Sequence, residues 1–248
     1  MSRRIAIVTG LLALLCVAPA TARADLALRP PGAKLPLGNE RLSDERTVTR
    51  SAHTNLRSKI YADPALDGRV VGRLRFQTED GPPEVYLALQ SHVDAAGQIW
   101  IRIRIPARPN GQKGWVRREA LGSFSISRVH LIVNRRTLRA KLLKAGKLVF
   151  STRVGVGKAS TPTPAGRFYA REKLESLEGG TIYGPWAIGT SAYSSISDWP
   201  GGGVVGIHGT NQPQLIPGRP SHGCIRMPNR KIRRLVKLMP VGTPIRIK

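Results

Sequence analysis

The chain alternates short apolar runs with turns rich in Gly, Pro and Asp over most of its length, a pattern typical of β-strands. The clearest run, "IWIRIRI" over residues 99–105, places isoleucine at every second position. A hairpin turn is predicted at Asn110-Gly111, and a returning strand at Trp115. We therefore expect a small β-barrel of short strands over residues 51–122.

A second set of strand patterns begins at residue 126. Residues 130–133, 137–143 and 148–156 predict a β-meander. Residues 204–208 predict a further strand, whereas the segment 179–203, rich in Gly and aromatic residues, is expected to form loops over a site. Helical spacing of apolar residues occurs only over residues 229–239, so one surface helix is expected near the C-terminus.

The first 24 residues have the organisation of a secretory signal peptide. Two arginines precede an apolar run over residues 5–20, and Ala-Arg-Ala then forms a cleavage pattern before Asp25. We expect export across the cytoplasmic membrane, to the cell wall or a periplasm-equivalent space. An uncleaved signal anchor that tethers the protein to the membrane is the alternative. Residues 25–50 carry no apolar period and are predicted to be a polar linker.

The chain is strongly basic, with 40 Lys and Arg against 15 Asp and Glu and a net charge of +25. Cleavage before Asp25 would remove three arginines and leave +22. Such an excess predicts attraction to polyanions, and for an exported protein these are anionic cell-wall polymers or lipid head groups. The signal peptide and the lack of a basic-aromatic motif argue against nucleic acid as a partner.

Cleavage would also remove Cys16 and leave Cys224 as the single cysteine. Structural cysteines of exported proteins come in pairs. Cys224 is therefore expected to be an inert buried thiol, an intermolecular crosslink or a reactive group, and the count alone leaves all three open.

Residues 206–229 combine Cys224 with two histidines, His208 and His222. Zinc binding is disfavoured because His-x-Cys is not the usual spacing of paired ligands and no fourth ligand is evident, so we expect no metal. Nucleophilic catalysis fits better, because an imidazole can take the thiol proton. Amides near Gly223 and Cys224 could face a developing oxyanion, and Arg226 would share a strand face with the thiol. Spacing alone leaves open which histidine is the base.

The motif "IHGT" followed by "SHGCIRM", with "TPTPAGRF" upstream, resembles the active-site signature of the L,D-transpeptidase catalytic domain of the YkuD type, over residues 126–248. The resemblance implies that Cys224 is the nucleophile and that His208 is the proton donor and acceptor. It also implies a surrounding pocket formed by Gly209, Ser221, His222, Gly223 and Arg226.

The segments "TNLRS", "VVGRL", "WIRI" and "GWV" of residues 51–122 resemble bacterial SH3-like domains, which often bind cell-wall peptides. The expected fold is mainly β: an SH3-like barrel, then an L,D-transpeptidase-type β-sandwich over residues 126–248 with one C-terminal surface helix. The alternative for residues 51–122 is a spacer or a docking partner of the second domain.

The resemblance to L,D-transpeptidases implies a reaction on peptidoglycan stem peptides. The thiolate attacks the third residue of a tetrapeptide stem, D-Ala leaves, and a neighbouring amine resolves the thioester into a 3→3 crosslink. Water as acceptor gives L,D-carboxypeptidase activity instead. No cofactor is expected, and carbapenem-type inhibitors are expected to acylate Cys224. Two competing functions are a different thiol peptidase, which the order His208 before Cys224 disfavours, and a non-catalytic wall-binding protein.

Overall fold

The structure is a computed structural model that describes residues 38–176, 181–198 and 200–248, which build two β-sheets. The predicted signal peptide and residues 25–37 of the predicted linker lie outside this range. Within the described ranges no helix has the length and apolar character needed to cross a membrane.

The first sheet has eight strands. They are β1 (Gly38–Arg41), β2 (Thr49–His53), β3 (Lys59–Tyr61), β4 (Val70–Arg73), β5 (Val85–Val93), β6 (Ile99–Arg104), β7 (Lys113–Arg117) and β8 (Ser125–Ser127). Their order is β4-β3-β7-β6-β5-β2-β8, with β1 also paired to β5, and all pairs are antiparallel. A short 3-10 helix, Arg118–Ala120, follows β7.

The alternation predicted for residues 99–105 is present in β6, but both faces of this strand are buried. Ile101 and Ile103 are fully buried on one face, and Trp100 is buried on the other, where it packs edge-on against Tyr61. Arg104 is also buried, and its guanidinium pairs with Glu45, at 2.6 Å from Nε to Oε1 and 2.9 Å from Nη2 to Oε2. A buried charge is tolerated when it is paired and hydrogen-bonded in this way.

The structure differs from the predicted linker at residues 38–50. Residues 38–41 form β1, whose register against β5 runs from the Gly38–Val93 pair to the Arg41–Gln90 pair. No apolar period marks this strand because the main-chain groups of the long β5 supply its partners, and its side chains lie at the surface. Backbone pairing makes a strand here without an apolar period in the sequence.

The second sheet has ten strands. They are β9 (Val129–Asn134), β10 (Arg139–Lys144), β11 (Lys147–Arg153), β12 (Gly155–Gly157), β13 (Gly166–Glu175), β14 (Trp186–Tyr193), β15 (Val204–His208), β16 (Gly218–Ser221), β17 (Ile225–Arg226) and β18 (Pro244–Ile247). Their order is β11-β10-β9-β18-β13-β14-β15-β17-β12-β16. The predicted meander is confirmed as β9, β10 and β11, but its third strand ends at Arg153, and residues 155–157 form β12, which pairs with β16 and β17. The pairs β18–β9, β15–β17 and β12–β16 are parallel.

One helix, α1 (Asn229–Leu238), follows β17, and two 3-10 helices, Pro200–Gly203 and Pro213–Leu215, lie in loops. The predicted apolar face of α1 is confirmed: Ile232, Leu235 and Val236 are buried and belong to the core of the second sheet. The described residues are therefore mainly β with one α-helix, as the sequence predicts.

The sequence predicts loops over residues 179–203, but this segment contains β14 in the middle of the second sheet. The strand pairs with β13 on one side and β15 on the other. Its last six residues are all buried, so no alternation of polar and apolar residues marks it in the sequence. Gly189 is required where β14 meets β13, because a Cβ there would lie 2.2 Å from Oε1 of Glu172.

The two sheets meet through buried ion pairs and a small apolar cluster. Arg171 of β13 is fully buried and pairs with the fully buried Glu84, at 2.9 Å from Nε to Oε1, and with Glu79 at 2.8 Å. Tyr169 packs in the same region against Leu87 and its neighbours on β5. Removal of one partner from such a buried pair is destabilising, so the contact between the two sheets depends on both Arg171 and Glu84.

Candidate active site

Adjacent parallel strands bring His208 and Cys224 together. β15 ends at His208, and β17 begins directly after Cys224, with Ile207 opposite Ile225. A Cβ on Gly206 would lie 3.7 Å from Cδ2 of His208 and 3.9 Å from Sγ of Cys224. Both side chains therefore border the same small space beside β15, although 16 residues separate them in the chain.

His208 is 2% exposed, and its Nδ1 lies 2.7 Å from the carbonyl oxygen of Gly209. A carbonyl only accepts, so we assign the proton to Nδ1, which leaves the lone pair on Nε2. Burial lowers the pKa of His208 to about 4; the Gly209 carbonyl opposes this shift and the Arg226 charge adds to it. The imidazole is therefore neutral at pH 7. The ring of Tyr183 packs against it at 5.0 Å between centroids.

Cys224 is a free thiol and partly buried. Burial raises the pKa of this thiol, and it outweighs the Gly206 N–H, which donates to Sγ at 3.4 Å, and the charge of Arg226. The resting pair is therefore a protonated thiol beside a neutral imidazole. Such a thiol needs a base to become a nucleophile, and Nε2 of His208 has the free lone pair for that role.

The turn before Cys224 is held by Ser221 and a glycine. Ser221 Oγ donates to the Cys224 carbonyl at 2.6 Å and accepts from Gly223 N–H at 3.2 Å. Gly223 has φ +129°, and a Cβ there would lie 2.9 Å from Oγ of Ser194. Of the amides expected to face an oxyanion, the N–H of Gly223 is already engaged, because it donates to Ser221 Oγ. Cys224 N–H makes no hydrogen bond within the described residues.

Two hydroxyl groups from outside the motif also hold this turn, and the sequence did not identify them as site residues. Thr163 Oγ1 donates to the Gly223 carbonyl at 2.7 Å and accepts from Gly157 N–H at 2.9 Å. Ser194 Oγ donates to the His222 carbonyl at 2.9 Å. Thr163 lies within the "TPTPAGRF" segment that carried part of the resemblance, whereas no sequence pattern marked Ser194.

The remaining predicted residues lie around the same centre. His222 is exposed, and Arg226 is partly buried with Nη1 3.2 Å from Oε1 of Gln212. A Cβ added to Gly209 would lie 2.3 Å from Oδ1 of Asn229. This Oδ1 accepts a hydrogen bond from the Thr210 N–H. Gly209 is therefore a packing position in the structure, where no side chain fits.

Two clefts meet at Cys224, His208 and Tyr183, and they differ in charge. The first cleft is also lined by Arg226 and His222. The second, of about 350 Å³, carries the carboxylates Asp80 and Glu175 and, among its described lining residues, no Lys or Arg. Opposite charges on the two sides suit ligand groups of opposite sign. Within the part of the chain that the structure describes, no three His, Cys, Asp or Glu side chains are grouped to hold a metal ion.

Comparisons with known proteins all point to one family. The family model of the YkuD L,D-transpeptidase catalytic domain matches residues 128–247. The Bacillus subtilis protein named putative L,D-transpeptidase YqjB is 32% identical over 125 residues, which cover 48% of this chain and 70% of that protein. The putative L,D-transpeptidase YkuD of Bacillus licheniformis is 35% identical over 120 residues, or 48% of this chain and 64% of that protein.

A solved structure with the same kind of similarity is the NMR structure of the catalytic domain from the Enterococcus faecium L,D-transpeptidase. It is 28% identical to this chain, and the match covers 48% of this chain and 95% of that one, with a TM-score of 0.36.

Proposed function

Because the chain belongs to the family of L,D-transpeptidases with a YkuD-type catalytic domain, we propose that it is an exported cysteine L,D-transpeptidase acting on peptidoglycan stem peptides. The observation that carries the proposal is the placement of Cys224 and His208 beside the same space at the junction of two clefts. A nucleophile and its base can act on one substrate only when both side chains border the space that the substrate occupies.

In the proposed first step, Cys224 Sγ attacks the carbonyl carbon of the third residue of a tetrapeptide stem. Nε2 of His208 takes the thiol proton as the C–S bond forms. The resulting imidazolium then gives this proton to the amine of D-Ala, the C–N bond breaks, and a thioester remains on Cys224. The buried, neutral His208 suits the first half of this step, since an already protonated imidazole could not accept.

The developing oxyanion needs hydrogen-bond donors close to the nucleophile. Cys224 N–H fits this role because it makes no other hydrogen bond within the described part of the chain. Thr163 holds the Gly223 carbonyl, which belongs to the same peptide group as this N–H, and Ser221 holds the carbonyl of Cys224 itself. A donor fixed in advance stabilises the transition state without reorganisation during the reaction.

The opposite charges of the two clefts would let the enzyme bind the donor stem peptide in one cleft and the acceptor stem peptide in the other. The first cleft, with Arg226, suits the terminal carboxylate of the D-Ala-bearing donor. The second cleft, with Asp80 and Glu175, suits the ammonium group of an acceptor stem. After this group loses one proton to solvent, the amine attacks the thioester carbonyl and the C–S bond breaks. Nε2 of His208 takes the second amine proton and returns it to the Cys224 sulfur, which leaves a 3→3 crosslink and a free thiol. Water entering the second cleft would instead release the stem as the L,D-carboxypeptidase product.

Export and wall attachment complete the proposal. The signal pattern in residues 1–24 would direct the protein across the membrane, and the basic excess would hold it to anionic wall polymers. The first sheet would be the SH3-like unit, with wall peptides as its ligand class. A different thiol peptidase or a non-catalytic wall-binding protein are the competing functions.

The decisive test uses protein lacking the predicted signal peptide and purified tetrapeptide muropeptides, with products identified by mass spectrometry. We expect 3→3 dimers and released D-Ala from the wild type and from Ser123→Ala, an exposed control, and neither product from Cys224→Ala. A carbapenem should add its mass to the first two proteins only. Products from Cys224→Ala would remove the assigned nucleophile, and an inactive, unacylated wild type would remove the proposed function.

A further inference from the structure

A side chain of the first sheet reaches the wall of the active-site cleft. The cleft wall is the backbone of Ser194, Ile196, Gly202 and Gly203, of which Ser194, Ile196 and Gly203 line the first cleft. Arg108, in the loop between β6 and β7, donates from Nη1 to the Gly202 carbonyl at 2.8 Å. Its Nη2 donates to the carbonyls of Ser194 and Ile196, both at 2.9 Å.

The same loop also fixes the strand end from which the cleft wall starts. Asn110 Nδ2 donates to the Tyr193 carbonyl at 2.7 Å, and Tyr193 N–H donates back to Asn110 Oδ1 at 2.9 Å. The Arg108 guanidinium lies 4.9 Å above the Tyr193 ring. Tyr193 is the last residue of β14, so this reciprocal pair sets the direction in which the chain enters the wall.

The cleft wall in turn contacts the turn that carries the nucleophile. Ser194 N–H donates to the Gly203 carbonyl at 2.8 Å, which joins the two halves of the wall. Ser194 Oγ donates to the His222 carbonyl, and Gly223 packs so closely on Ser194 that no side chain fits between them. A continuous series of contacts therefore runs from Arg108 through Ser194 to the residues just before Cys224.

We propose that Arg108 and Asn110 are positioning residues for the cleft wall, so that the N-terminal sheet forms part of the substrate-binding site. This inference rests on the proposed function. Arginine suits the role because its planar guanidinium presents several N–H donors in a fixed fork and can bond three carbonyls at once. A lysine ammonium is a compact point donor and would satisfy fewer of these carbonyls.

The test compares full-length Arg108→Ala, Arg108→Lys and Asn110→Asp with Arg57→Ala, an exposed control in the connection between β2 and β3. Asn110→Asp keeps the size of the side chain but loses its donor and faces the Tyr193 carbonyl with a charge. Saturation kinetics of carbapenem acylation give the non-covalent binding constant and the acylation rate separately. Iodoacetamide alkylation and amide hydrogen exchange over residues 190–205 complete the measurements.

We expect Arg108→Ala and Asn110→Asp to weaken non-covalent carbapenem binding about tenfold or more and to speed exchange within residues 190–205 only. Arg108→Lys should be intermediate, Arg57→Ala should match the wild type, and alkylation should be unchanged in all. Wild-type binding and exchange in Arg108→Ala would overturn the proposal, as would faster exchange spread over the whole chain. If the wild type is not acylated at all, the proposed function fails and the exchange data alone decide the positioning role.

Discussion

Acidification should destabilise the protein through His208. Burial lowers the pKa of His208 from 6.5 to about 4 in the folded protein, whereas the unfolded chain keeps the ordinary value. Below pH 6.5, His208 therefore binds a proton in the unfolded state, whereas in the folded state it does so only below about pH 4. The stability associated with the neutral imidazole is present above pH 6.5 and is lost as the pH falls to 4, by about 3 kcal/mol in all.

The effect of His208 can be isolated by comparison with His208→Gln, which carries no titrating group at this position. Other groups also titrate on acidification: burial favours the neutral form of Glu79, but ion pairs with Arg171 and Arg75 lower its pKa to about 2. Such contributions cancel in the difference between the two proteins. Urea unfolding at pH 7 and pH 4 should show this difference moving by about 3 kcal/mol in favour of the variant.

A difference between wild type and His208→Gln that stays constant from pH 7 to pH 4 would refute the reasoning, because it would mean that His208 titrates alike in the folded and unfolded states. The same assignment has a catalytic consequence. If His208 accepts the thiol proton as a neutral imidazole, the rate of carbapenem acylation should not depend on pH between about pH 5 and 8. An acylation rate that halves near pH 6.5 would contradict the lowered pKa.

Two further predictions follow from the acidic residues. Glu84→Gln should lower the free energy of unfolding by about 3 kcal/mol in urea titrations, because Arg171 would lose its fully buried carboxylate and keep only the partly exposed Glu79. Glu119→Gln, which removes an exposed partner of Arg117, should cost about 1 kcal/mol or less, and equal losses would contradict the argument. Asp80→Asn should shift the muropeptide products from 3→3 dimers toward free stems with released D-Ala, because the second cleft would attract amines less strongly; an unchanged ratio would remove Asp80 from acceptor binding.

The elements that the sequence predicted well are those with local signals. Residues 204–208 are an apolar run bounded by glycine and a turn, and β15 has those bounds. The helix predicted over residues 229–239 is present and ends one residue earlier. It could be predicted because its apolar residues repeat at helical spacing. β14 escaped prediction because it is buried on both faces, and β1 because its partner strand rather than its own composition makes it a strand.

The site shows the same division between local and distant information. The motif contains both Cys224 and His208 because they lie close in the chain, His208 at the end of β15 and Cys224 directly before β17. Thr163 lies 60 residues from the carbonyl that it holds, and Arg108 lies 86 residues from the Ser194 carbonyl. Such partners depend on how strands pair and sheets pack, which no local pattern encodes. The order of strands in the second sheet, not the motif, brings Ser194 against the nucleophile turn.

The opposite pKa shifts of Cys224 and His208 have a consequence for how the thiol would behave in an oxidising compartment. Burial raises the pKa of Cys224 and lowers the pKa of His208. The resting site therefore holds a neutral thiol and a neutral imidazole instead of the thiolate–imidazolium pair of many cysteine enzymes. Oxidation and alkylation of cysteine follow thiolate character. A lone thiol kept protonated until a carbonyl is bound would resist both in an oxidising compartment, which fits the proposed export. The reaction then depends on how well the cleft places that carbonyl, and this gives the wall held by Arg108 its importance.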